Sequence, residues 1–395
     1  MGKIFGVELS NGKGQYLELD LPATDYELLD AFDRLHMDPS EEPGLEIINY
    51  TDFKHLYVHL DGTCSLCELN ELSRRLDSMD QGQIVAFNGL CQMVVKKSER
   101  PLTIADFLTC ANSTDCCHVV PEALTDAQLG RFYAENGFVP EVDGLSDEAF
   151  GLLDFDQIGY EARIREGGVF TQQGYVVQHD ELKQAPPIPE GPPQKPSYIF
   201  RLILDNYPFD EENHKPLRVP LDLPATEEEL DSALGALDAP SWEEVVIVDY
   251  DGAIPDLENA VDCFLGINQI NELAAAVKQV MDRGELPKLK AVLEATKCDD
   301  LDDMIDLAGQ LDQYILEQNH QTYEDIALSD LRVIAGEPAL ELLVPYVNLN
   351  GYGQAVAEKM NLTLSSYGAV SRRDGEPIQT FDSDGPQRGG MEVTM

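Results

Sequence analysis

Apolar residues recur at helical spacing in two distant stretches, Leu66, Leu69, Leu72 and Leu76 in one and Ile270, Leu273, Val277 and Val280 in the other. Each stretch opens a run of expected helices. The first run is Ser65–Met79, Gln81–Val94 and Thr103–Cys110; the second is Ile267–Arg283, Leu286–Thr296 and Leu301–Asn319. Short alternating segments precede them and predict strands: Tyr16–Leu21 and Leu45–Asn49 in the first half, Arg218–Leu223 and Glu244–Asp249 in the second. Between the paired strands, Thr24 and Thr226 each stand three residues before a glutamate, Glu27 and Glu229, which is the signature of a capped helix start. Each half closes on a mixed region with an expected Gly-Tyr turn and a β-prone stretch, Val169–Val177 and Leu362–Val370. The pattern predicts an α+β protein of two tandem elongated modules, each with small sheet and helix subdomains flanking a helical bundle.

The two halves repeat each other. Leu19-Asp-Leu-Pro-Ala-Thr24 recurs as Leu221-Asp-Leu-Pro-Ala-Thr226, Ile47-Ile-Asn-Tyr50 answers Ile247-Val-Asp-Tyr250, and Glu68-Leu-Asn-Glu-Leu72 answers Gln269-Ile-Asn-Glu-Leu273. Leu102–Leu108 resembles Leu301–Leu307, and Gly159-Tyr160 resembles Gly351-Tyr352. Such nearly constant offsets indicate duplication. Between the copies, Gln184–Pro196 reads QAPPIPEGPPQKP, which suits a semi-rigid extended spacer and no helix. The expected layout is a first module over 1–183, a linker over 184–196, a second module over 197–371 and a polar, Gly-rich, disordered tail over 372–395.

Charge changes the picture most. The chain of 395 residues carries 73 acidic and 27 basic side chains, a formal net charge of -46. The part through Pro196 holds 34 acids and 14 bases and the remainder 39 and 13, so both halves share the excess. A hydrophobic fraction of 43% sets the chain apart from disordered acidic segments. Such a surface repels nucleic acid and anionic membranes and favours a basic protein partner. Duplex DNA carries one charge per roughly 1.7 Å, so 46 charges at that density would match on the order of 78 Å, or about 23 base pairs. No apolar run approaches the length of a membrane span, and the N-terminus lacks a secretory apolar region, so a cytoplasmic protein with eight reduced cysteines is expected.

These features together resemble the ArdA antirestriction family. The resemblance lies in the Leu-Pro-x-Thr helix cap after a strand, the strand ending in Asp-Tyr at Val246–Tyr250 (Asn49-Tyr50 in the first copy), and the Glu/Gln-Leu/Ile-Asn-Glu-Leu helix at Glu68–Leu72 and Gln269–Leu273. It covers most of residues 4–180 and 199–370. The resemblance implies a protein of mobile elements that imitates DNA, usually one copy long and paired into elongated dimers. Two copies in one chain imply an intrachain pseudo-dimer or a homodimer. The implied target is a type I restriction–modification complex, held where its specificity and methylase subunits grip DNA.

Mimicry requires carboxylates at near-phosphate spacing on a rigid element, and helical neighbours at i, i+3 and i+4 lie about 5–6 Å apart. Asp299, Asp302, Asp303 and Asp306 form such a stripe, extended by Asp300 and Asp312, with Leu301, Ile305 and Ala308 to pack behind it. Asp25, Glu27, Asp30 and Asp33 open the first helix of one copy, and Glu227, Glu228, Glu229 and Asp231 that of the other. Acids in a first helical turn also serve the helix dipole, and an acidic face is commonly only solvated. A CRISPR nuclease, with its positive channel, is a rival target, and an acidic scaffold or chaperone for a basic protein is a rival function. A third rival is a small metal-dependent enzyme using Cys64, Cys67, Cys116, Cys117 and His118. Copy two lacks these cysteines, so buried reduced thiols, no metal and no cofactor are expected. Phosphate-loop, dinucleotide and nucleophile-elbow motifs are absent from the sequence, and no catalytic residue is assigned.

Overall fold

The structure is a computed structural model. It describes residues 2–381 apart from 61, 63, 99, 189–192, 207–216, 256 and 258–265. Most of the spacer 184–196 is described and holds neither helix nor strand there; its residues 189–192 lie outside the described residues, as does 382–395 of the tail. Fifteen α-helices and four three-stranded antiparallel sheets are present among the described residues, so the fold is α+β. No described helix is long and apolar enough to cross a membrane.

The chain divides into two compact units. Unit 1 comprises Met1–Ala23 and Ser40–Pro192; unit 2 comprises Thr24–Pro39 and Pro193–Met395. The helix that opens the first copy, α1 (Asp25–Leu35), is thus counted with unit 2.

Unit 1 begins with a sheet of β1 (Phe5–Ser10), β2 (Tyr16–Leu21) and β3 (Gly44–Asn49), ordered β2-β1-β3. The central strand β1 alternates, and Phe5, Val7 and Leu9 turn inward. A short helix α2 (Tyr57–Leu60) leads to the bundle of α3 (Leu66–Asp77), α4 (Gln81–Lys97) and α5 (Ile104–Ala111). The apolar stripe Leu66, Leu69, Leu72 and Leu76 is buried, as its spacing requires. β4 (Cys117–Val120), α6 (Asp126–Glu135), α7 (Asp147–Phe150), α8 (Phe155–Glu166), β5 (Val169–Phe170) and β6 (Tyr175–Gln178) complete the unit, with sheet order β4-β6-β5.

Unit 2 repeats this order after α1. β7 (Phe200–Asn206), β8 (Val219–Leu223) and β9 (Val245–Gly252) form a sheet ordered β8-β7-β9, with α9 (Glu227–Ala236) between β8 and β9 in the chain. The bundle is α10 (Ile267–Asp282), α11 (Leu286–Thr296) and α12 (Leu301–Gly309). Then follow β10 (Tyr314–Glu317), α13 (Tyr323–Ala335), α14 (Glu337–Leu343), α15 (Leu349–Met360), β11 (Thr363–Ser365) and β12 (Gly368–Arg372), with sheet order β10-β12-β11. Leu202, Leu204 and Leu221 of the first sheet share one core with Ile270, Leu273 and Val277 of α10 and with Tyr26 of α1.

Two expected elements differ. The helix expected over Leu301–Asn319 ends at Gly309, and Tyr314–Glu317 leaves it to pair as a strand with β12. The Gly-Tyr pairs expected at turns lie inside α8 and α15. Gly159 is there because its helix crosses α6 closely: a Cβ would stand 1.8 Å from the Asp126 carbonyl oxygen. The residue doing this in unit 2 is Gly353, two places beyond Gly351, where a Cβ would stand 1.7 Å from the Tyr323 carbonyl oxygen of α13. The chain continues past β12 with the Phe381 N–H donating to the Thr296 carbonyl at 2.8 Å.

Candidate functional site

The two motifs that repeat most clearly hold one another. Asn70 on α3 accepts from the Ala23 N–H at 2.7 Å and donates to the Ala23 carbonyl at 2.9 Å. Asn271 on α10 does the same to Ala225, at 2.7 and 3.0 Å. The Asn of Asn-Glu-Leu therefore pins the backbone just before each capping threonine, and the preceding Leu-Pro bond is cis in both copies. Thr24 and Thr226 close the expected capping boxes with Glu27 and Glu229. Hydrogen bonds from Thr226 hold the Glu229 carboxyl below its ordinary range, so it stays ionised while it caps.

The acids of α9 face outward. Glu227, Glu228, Glu229 and Asp231 are exposed, while Leu230 and Ala233 are buried. The acids of α1 divide. Glu27 is exposed and Asp25 half-buried. Asp30 and Asp33 do not form a solvent-facing stripe, which corrects that expectation. Asp30 is buried, and Lys290 of α11 donates to it at 2.7 Å and to Asp33 at 3.1 Å. The Tyr367 hydroxyl donates to Asp30 as well, at 2.7 Å. Lys290 is itself buried, with its side chain only 4% exposed. Burial outweighs Lys290 at Asp33 and raises its pKa above the usual carboxylate value. Burial and the neighbouring Asp30 likewise push the Tyr367 hydroxyl well up. Arg34, Lys290, Glu294, Ser366 and Tyr367 border a cavity of about 470 Å³ that Asp299 also touches.

The proposed stripe at α12 is also divided. Asp302 and Asp306 are exposed one turn apart on the helix, with Met304 and Leu307 buried behind them. Asp303 is half-buried. Asp299 and Asp300 precede the helix, and Asp300 is its N-cap, accepting from the Asp302 and Asp303 N–H groups at 3.0 and 3.1 Å. Asp312 is exposed beyond the helix end. Leu301 and Ala308 are buried and Ile305 half-buried, so the expected backing is in place.

One acidic surface escaped the helix-stripe search. From Phe132 to Ala162 the sequence holds eight exposed acids and no lysine or arginine: Glu135, Glu141, Asp143, Asp147, Glu148, Asp154, Asp156 and Glu161. The signal was the long gap between Arg131 and Arg163 rather than any periodicity.

The cysteines offer little chemistry. Cys91, Cys110, Cys116 and Cys298 are buried thiols. Burial pushes Cys117 up to about 12 and Cys298 up to about 11, far from thiolate reactivity. His118 stacks on His179 with ring centroids 4.2 Å apart. Among the described residues, no group of three or more His, Cys, Asp or Glu is placed to hold a metal ion. Cys263 lies outside the described residues.

No curated protein matches the chain. Residues 217–370, which run from β8 through the first half of β12, match the family model described as Antirestriction protein (ArdA). That segment contains the Leu-Pro-Ala-Thr cap, the Asp-Tyr strand and the Asn271 clasp, and by this match residues 217–370 form a domain of the ArdA antirestriction family.

Proposed function

We propose that the protein is an antirestriction inhibitor, not an enzyme, and that it acts by occupying the DNA-binding groove of a type I restriction–modification complex. The family match at 217–370 carries this reading. The net charge of -46 and the exposed carboxylates of α9, α12 and the 132–162 segment support it. A DNA-binding enzyme meets phosphates with Lys and Arg, and that contact supplies much of its affinity without reading sequence. Ordered carboxylates can engage the same cations, so one inhibitor would act across enzymes of different recognition sequence. Opposite charge would make association fast and salt-sensitive.

The test is DNA cleavage by a purified type I enzyme with the full chain added over a salt series. Inhibition that weakens as salt rises is expected. Changing the exposed Asp302, Asp306 and Asp312 to Lys should weaken inhibition by at least about tenfold while the thermal midpoint stays near that of the parent. Absence of inhibition at low salt would overturn the reading, and undiminished inhibition by the triple variant would remove α12 from the contact surface.

A further inference from the structure

Five arginines are half-buried among the described residues, and four of them are matched by an acid. Arg75, Arg163, Arg201 and Arg372 meet Glu71, Asp126, Asp222 and Asp374 at 2.8, 2.7, 2.6 and 2.6 Å. The fifth, Arg34 of α1, meets no acid among the described residues, in a chain that holds 73 of them. A guanidinium taken partly out of water without a partner is disfavoured, so this exception calls for a partner of another kind.

Arg34 borders the cavity of about 470 Å³ in unit 2. Its Nε is enclosed without a hydrogen-bond partner. Its two terminal nitrogens are not enclosed in this way, so they are the atoms that a ligand can reach. The nearby acids are engaged elsewhere. Asp30 and Asp33 hold Lys290. Glu294 accepts the Ser366 N–H on both oxygens at 3.0 Å and the Ser366 hydroxyl at 3.1 Å. Lys297 and Asp299, both exposed, bring opposite charges to the same cavity. Its remaining wall is apolar, with Ile254, Leu293, Met304 and the Tyr367 ring all buried there.

A cation fork above an apolar wall suits a ligand with one planar anionic end and an apolar body. A carboxylate fits the end-on face of a guanidinium through two parallel hydrogen bonds. A doubly charged phosphate would meet Glu294 and Asp299 at the same cavity and the field of a chain of charge -46, so a single charge is favoured. The apolar body would gain by leaving water against Ile254, Leu293 and Met304. We propose that this cavity binds a small apolar carboxylic acid, with its carboxylate on the terminal nitrogens of Arg34 and its chain against Ile254, Leu293 and Met304. The acid is either a free short-chain acid or an apolar amino acid, which share this chemistry. The inference goes beyond the antirestriction reading and is tested without any DNA enzyme, so either can fail alone.

Isothermal titration of the full chain with 4-methylpentanoate, L-leucine, isopentylamine and inorganic phosphate tests the site. A Kd on the order of 1 mM or tighter is expected for 4-methylpentanoate, and none for isopentylamine or phosphate. Equal or tighter binding of L-leucine would identify the amino acid as the source, and weaker binding the free acid. Arg34→Met should raise the Kd about tenfold or more, and Arg34→Lys, which keeps the charge but not the fork, should also raise it, by several-fold. The thermal midpoint of Arg34→Met without ligand should equal or exceed that of the parent, which excludes misfolding as the cause. No binding of either acid, an unchanged Kd in Arg34→Met, or phosphate binding as well as 4-methylpentanoate (an adventitious ion only) would each overturn the proposal.

Discussion

Helices α1 and α9 begin with the same Pro-Ala-Thr, close the same capping box and bury matched apolar residues, yet they end in different surroundings. α1 has six of its eleven residues buried, including Asp30; α9 has two of ten. The difference follows from two positions. Tyr26 and Asp30 give α1 a second face that a lysine and a tyrosine can hold, and Glu228 and Ser232 leave α9 with a face that favours water. The two helices and their caps are alike, and the residues at these two positions set which helix is the more deeply buried. Acidity alone is thus a poor guide to a mimic surface, because an aspartate that meets a buried lysine is spent on packing.

The largest way to break this comparison is to remove the cation. Lys290→Met on α11 leaves Asp30 buried without its charged partner and should destabilise unit 2 by about 3–5 kcal/mol, whereas Asn88→Met on α4, the second bundle helix of unit 1, should be within about 1 kcal/mol of neutral. Denaturant unfolding of the two variants reads the contrast directly, and equal losses would show that the buried lysine is no more needed than an uncharged residue. The clasps come next. Asn271→Ala abandons the Ala225 N–H and carbonyl, and a loss of about 2 kcal/mol is expected; Asn70→Ala abandons the Ala23 N–H but leaves that carbonyl its Arg74 donor at 2.9 Å, so a smaller loss of about 1 kcal/mol is expected. The smallest effect concerns pH. Burial raises the Asp33 pKa in the folded state above its ordinary 3.8, so folding takes up a proton there. Stability from this group is present below that ordinary value and is lost as pH rises through the raised one. Asp33→Asn should therefore gain on the parent protein as pH rises above the ordinary 3.8, and thermal midpoints over a pH series check the sign.

Much of the fold was legible locally. The capping boxes, the bundle stripes and the flanking strands follow from spacing, and each is decided within a few residues. The central strands β1 and β7 carry a clear alternation at Phe5, Val7 and Leu9 and at Phe200, Leu202 and Leu204, but they fall before the repeated motifs that drew attention. Helices α8 and α15 were hidden by their glycines, which mark a close helix crossing and not a turn. The candidate surface was less legible. Asp30 looks like any acid on a helix face until its partner, 260 residues away in sequence, is known. Asp300 reads as part of a stripe but is fixed by two backbone N–H groups as a cap. Long-range pairing of this kind leaves no periodic trace, so only composition hinted at the base-free acidic segment around α7.

The paired asparagine clasps bear on how such sequences drift. Asn70 and Asn271 read backbone amides, not side chains, so the side chains at 23 and 225 can vary while the asparagine cannot. Each clasp joins positions 47 or 46 apart in the sequence through main-chain atoms of the alanine alone. The asparagine should therefore persist where the residue at 23 or 225 changes, and the two positions should show little covariation.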